Sequence, residues 1–173
     1  MKFLFFSLLF SFSMAGGNNE ISQRFVQAVN DEKKTAELLD LLSKQNPDPS
    51  QENYAYWGAT ETLMGKHAVN PLTKLSWLDK GLEKINKSVL AQPSNPVPRY
   101  LRITVESQIP SFLGKSIHLN DDKKIILTQL KNLSSKKDCQ KVKEIANSFL
   151  SMKIFNNSEN ELLRVIIANC STQ

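Results

Sequence analysis

The sequence has little of what most chemistries need. Two histidines and two cysteines are spread over 173 residues. His67 and His118 each stand without a second His, Cys or carboxylate at metal-ligand spacing, so no metal is expected. There is no glycine-rich phosphate loop and no GxSxG elbow, and with them goes the basis for a nucleotide cofactor or a serine-hydrolase nucleophile. No cofactor is expected. Clean period-two alternation of apolar and polar residues is missing over any useful length, which argues against sheet structure. After the first fifteen residues no stretch is apolar enough to stop in a bilayer, which takes about 20 residues.

Charge is present, and its distribution says more than the net +5. From Gly16 to Phe112 eleven basic residues meet eleven acidic ones, whereas Leu113 to Lys153 carries nine lysines against four acids. Dispersed lysines of this kind usually make a solvated helix face; the alternative is a surface that lies against anionic lipid or polysaccharide. The start of the chain argues against a nucleic-acid target. Lys2 precedes a run from Phe3 to Phe12 broken only by Ser7 and Ser11, followed by Ser13, Met14 and Ala15. That is the pattern of a signal peptide over residues 1–15, with cleavage after Ala15. The mature chain, residues 16–173, is expected to be one exported domain, periplasmic or secreted, with no transmembrane segment.

Helical periodicity runs through that mature chain. Ile21, Phe25, Val26 and Val29 form one stripe, and Asn30 with Asp31 offers a break and a new cap. Ala36, Leu38, Leu39, Leu41 and Leu42 form the next. Asp48, Pro49 and Gln51 read as a helix start, which predicts a helix over residues 49–64 ended by Gly65 in the left-handed conformation. It carries Tyr54, Trp57 and Glu61. Aromatics so spaced usually make core; the alternative is a groove completed by Tyr100.

The strongest signal is residues 70–92. Asn70 can cap, Pro71 suits the first helical position, and Leu72, Leu75, Leu78, Leu82, Ile85 and Val89 recur every three or four residues on one stripe. Pro93, Pro96 and Pro98 then force a turn, with a helix from Pro98 or Arg99 to Gln108. Ser111 to Gly114 reads as a tight apolar connector. Asn120 to Asp122 would open a helix holding Ile125, Ile126, Leu127 and Leu130. Ser134 and Ser135 would cap another, from Cys139 to Leu150. Ser158 with Glu161 forms a capping box for the last, ending near Asn169. The fold class is therefore all-α, with short connections and antiparallel neighbours.

If the last two helices turn near Phe155, Cys139 and Cys170 lie equally far from the turn and face each other. A disulfide is expected there, closing a loop of about thirty residues and contributing about 3 to 4 kcal/mol. Four Asn-x-Ser sequons, at Asn86, Asn132, Asn156 and Asn169, are taken as chance.

The spacing of Gly81, Ile85, Ser88 and Pro93 resembles the second-helix half of a tetratricopeptide repeat: small, large, small, then proline. The loop of residues 65–70 is longer than that repeat allows, and Arg99 and Ile103 stand where the following repeat would place its aromatic and glycine. More broadly, the segments GKHAVNP, PRYLR and PSFLG make the chain look like a group of small exported TPR-like proteins of Bacteroidota-type bacteria. The resemblance implies an irregular stack of antiparallel helix hairpins and an exported location, and brings no catalytic residue with it.

Three functions compete. The first is a scaffold that binds a protein or peptide partner in the cell envelope, motivated by the repeat-like helices and the missing catalytic constellation. The second is an enzyme, which requires Glu61, His67 or Glu106 to converge in a polar cleft. The third is a lipid-associated or surface structural protein using the basic C-terminal third.

Overall fold

The computed structural model describes residues 19–134 and 139–170. The expected signal segment and the Ser135 cap lie outside them. Among the described residues there are eight α-helices, one 3-10 turn and no strand, as the absence of alternation requires. The helices are α1 (Asn19–Ala28), α2 (Glu32–Gln45), α3 (Glu52–His67), α4 (Pro71–Ala91), α5 (Pro96–Glu106), α6 (Leu119–Ser134), α7 (Cys139–Met152) and α8 (Asn157–Asn169). Among the described residues they form two compact units that divide between Val105 and Glu106.

In the first unit each break has a local cause. Asp31 caps α2 by accepting the Lys34 amide at 3.0 Å, and Asn46 closes it in the left-handed conformation at φ 43°. α3 starts three residues later than its sequence signal. The Gln51 side chain does reach back to the Asp48 amide (2.8 Å), but Asp48 holds the Ser50 amide (2.9 Å), and the two close a turn before the helix instead of capping it.

Gly65 also departs from expectation. α3 continues through it to His67 and ends in extended backbone at Ala68, so Gly65 is a helical residue chosen for packing. A Cβ there would lie 3.0 Å from the Lys74 carbonyl oxygen on α4. At Gly58 a Cβ would be 2.6 Å from the Gly81 carbonyl, and at Gly81 it would be 2.5 Å from Thr62 Cγ2. α3 and α4 thus pack backbone to backbone along Gly58, Thr62, Gly65 and Gly81. α3 is buried on several sides: Tyr56 meets Phe25 of α1 edge-on at 5.6 Å, while Ala55, Ala59 and Leu63 complete its buried surface.

α4 begins as its sequence dictates. Asn70 Oδ1 accepts the amides of Leu72 (2.8 Å) and Thr73 (3.3 Å), with Pro71 at the first position. Its apolar stripe is buried unevenly. Leu82, Ile85 and Val89 are core, Leu75 and Leu78 are half-buried, and Leu72 is exposed. The prolines after α4 do not delay the next helix as expected. Asn95 accepts the Val97 amide (3.1 Å), and α5 begins at Pro96, because the first turn of a helix has no use for the N–H groups that Pro96 and Pro98 lack. Its far end comes at Glu106, two residues short of Gln108.

The second unit has its core in Ile126, Leu130, Val142, Ile145, Phe149, Leu163 and Ile166. Ser134 ends α6, donating to the Lys131 carbonyl (2.7 Å), rather than opening α7. The chain reverses between Met152 and Asn157, where Lys153 takes φ 54° and Phe155 packs on Phe149 with ring centroids 5.0 Å apart. The capping box of α8 sits two residues earlier than Ser158 suggests. Asn156 accepts the Glu159 amide (2.9 Å), and Glu159 accepts the Asn156 amide (2.8 Å). Beyond this hairpin Cys139 and Cys170 are joined as the equal spacing requires, with Cα atoms 5.2 Å apart.

Candidate functional site

Tyr54, Trp57 and Glu61 follow one another at three and four residues, so α3 presents them on one stripe. Trp77, Lys80, Lys84 and Lys87 repeat the same spacing on α4. Because the two backbones touch at Gly58 and Gly81, the stripes meet along one edge of the helix pair. There Lys84 Nζ donates to both Glu61 oxygens, at 2.8 and 3.0 Å, and lies 4.7 Å from the centre of the Trp57 ring. Tyr54 meets Trp57 edge-on at 6.0 Å. Lys80 lies 5.1 Å from the centre of Trp77.

Burial makes these contacts matter. The Glu61 side chain is 7 % exposed and that of Lys84 21 %, so the pair is shielded and each charge is held by the other. Tyr54, Trp57 and Trp77 are half-buried, neither core nor free. The edge therefore offers aromatic faces at fixed positions beside lysine stems, a composition suited to recognition. Three of the four residues expected to form a groove come together here. Tyr100 lies on α5 and is 5 % exposed, offering a partner almost no surface. The sequence does not single out Trp77 or Lys84, and nothing in it pairs Lys84 with Glu61.

A polar depression of about 380 Å³ lies elsewhere in the same unit, where α2 connects to α3, lined by Gln45, Pro47, Gln51, Glu52 and Asn53. Asn53 Oδ1 is buried there without a hydrogen-bond partner among the described residues.

The three groups an enzyme would need have three different partners. Glu61 holds Lys84. His67, the last residue of α3 rather than one beyond it, has Nε2 3.4 Å from Thr35 Oγ1. Burial, and after it the nearby Lys66 ammonium, holds the His67 imidazole below its ordinary pKa, against the smaller opposing pull of Glu32 and Asp31. Lys66 is lowered by burial too; its ammonium donates to the Val29 carbonyl (2.6 Å) and Asn30 Oδ1 (2.8 Å), satisfying the C-terminal end of α1.

Glu106 belongs to the second unit. Its carboxylate, 1 % exposed, accepts the His118 backbone amide at 2.9 Å and faces His118 Nδ1 at 2.8 Å. The sequence puts His118 in the loop before Asn120 and shows no further ligand for it at metal-ligand spacing; Glu106 stands 12 positions away. A carboxylate on Nδ1 orients an imidazole and leaves Nε2 as its second nitrogen, an arrangement that acid–base sites share with ordinary loop anchors. Among the described residues no three His, Cys, Asp or Glu side chains gather as a metal site.

Comparison with protein-family models, curated proteins and solved structures finds no match.

Proposed function

We propose that this chain is an exported helical scaffold that binds a protein or peptide partner through the α3–α4 edge, and that it is not an enzyme. One observation carries the reading: half-buried Trp57 lies against the ammonium of the shielded Glu61–Lys84 pair and holds half-buried Tyr54 edge-on. Aromatic side chains immobilised before binding lose little entropy on association, and Trp and Tyr dominate interface energetics. The repeat-like Gly81 and Ile85, packed on Gly58 of α3, and the buried Ser88 agree with a stack of helix hairpins of the TPR-like kind. The disulfide and the signal-like first fifteen residues fit the cell envelope or the medium as the place of work. No described helix is long and apolar enough to cross a membrane.

The test is photo-crosslinking from position 57 in intact cells that export the protein. One discrete adduct is expected, lost when Tyr54 is changed to Ala. Absence of any adduct, with a chain that stays monomeric at micromolar concentration, rejects the proposal.

A further inference from the structure

The connection from α5 to α6 is an ordered loop with an unusual surface. Phe112 is 70 % exposed and Ile117 74 %, two large apolar side chains five positions apart in one short loop. The loop nevertheless holds a definite shape. The Ile109 amide donates to the Glu106 carbonyl (3.2 Å), Leu113 to Pro110 (3.0 Å) and Gly114 to Ser111 (3.1 Å). Ser116 Oγ donates to the Glu106 carbonyl (2.7 Å), and the His118 amide to the Glu106 carboxylate. Gly114, at φ 61°, closes the 3-10 turn that carries Phe112, three residues before Ile117.

We propose that residues 110–117 dock the protein on an anionic lipid surface, with Phe112 and Ile117 entering the interface and Lys115 at the headgroups. The segment belongs to the second unit and the α3–α4 edge to the first, and the proposal stands without the partner reading. Three features select lipid. The apolar side chains project from a short loop rather than lining a groove. The amides of Leu113 and Gly114 are satisfied within the segment, which lowers the cost of bringing its backbone to a low-dielectric boundary. Charge is complementary along the sequence: Lys115 lies within the loop, and the stretch from Leu113 to Lys153 has nine lysines against four acids.

The experiment is flotation of the full disulfide-bonded mature chain with vesicles of phosphatidylcholine alone or mixed with phosphatidylglycerol, at low and high salt. Binding to the anionic vesicles at low salt is expected, weakened by salt and by omission of the anionic lipid. The double variant F112S/I117S is expected to lose about tenfold or more in affinity. The control V69S/L72S removes two side chains that are at least as exposed, and is expected to bind as the parent does. Both variants change only exposed positions, and far-ultraviolet circular dichroism verifies that they fold. Three outcomes overturn the proposal: no flotation at low salt, equal loss in the control, or a self-association of the parent chain that F112S/I117S abolishes while lipid binding persists.

Discussion

A glycine can be worth more than a leucine when two helices touch through it. An exposed helical Gly→Ala change ordinarily gains about 1 kcal/mol. At Gly58 the sign should reverse, because the added Cβ would meet the Gly81 carbonyl oxygen at 2.6 Å and Ile85 Cγ1 and Lys84 Cβ at 2.9 Å. The backbone atom cannot rotate away, so α3 and α4 would have to separate, at a net cost of about 2 kcal/mol. At Gly65 the nearest backbone oxygen is 3.0 Å away and the next contact 3.3 Å, which leaves room for a small shift. G65A is therefore expected to cost under about 1 kcal/mol. Urea midpoints of the two variants check this; equal losses would mean that the crossing is not centred on Gly58. Separation of the helices in G58A would also displace Lys84 from Glu61 and Trp57, so partner adduct formation should fall in that variant.

At the scale of the element, caps decide where helices begin, and the sequence can place the same motif in two registers. For α8 both Ser158 with Glu161 and Asn156 with Glu159 satisfy the pattern. The structure uses Asn156; Ser158 Oγ donates to Asn156 Oδ1 at 2.8 Å and supports the cap from outside. Changing Asn156 to Ala should cost about 1 kcal/mol, while Ser158→Ala should stay within about 0.5 kcal/mol. Denaturation of both variants with the disulfide intact gives the answer, and the opposite order would return the cap to Ser158. Asn156 is also a sequon asparagine, and its side chain is committed to the helix terminus. Asn86 is committed as well, accepting from Arg102 at 2.9 Å.

Across the whole molecule, stability should depend on pH near neutrality through His67. Its folded-state pKa lies below the ordinary imidazole value because burial and Lys66 disfavour the charged form. The unfolded chain therefore takes up the proton first. The contribution of His67 is present above the unfolded value of about 6.5 and is lost as pH falls from there toward the lower folded-state value. The urea midpoint of the parent chain should fall between pH 7.5 and 5.5, and His67→Gln should flatten that slope. An unchanged slope would show that other groups govern this range.

All-helical structure, the Asn70 start of α4 and the Cys139–Cys170 bridge follow from the sequence, because each depends on local geometry or on a count along paired helices. Stripe periodicity also fixes which face of α4 is apolar, since side chains three and four apart must share it. Tertiary structure decided the rest. It made Gly65 a packing residue instead of a helix stop, because the approach of α4 overrides an intrinsic preference worth about 1 kcal/mol. The same approach brought Lys84 to Glu61 across 23 positions of chain and left Trp57 half-covered at the edge of the pair. His118 found Glu106 by the return of a loop whose course no periodicity encodes. Periodicity says which residues share a face, but only the packing of one helix on another says what that face meets.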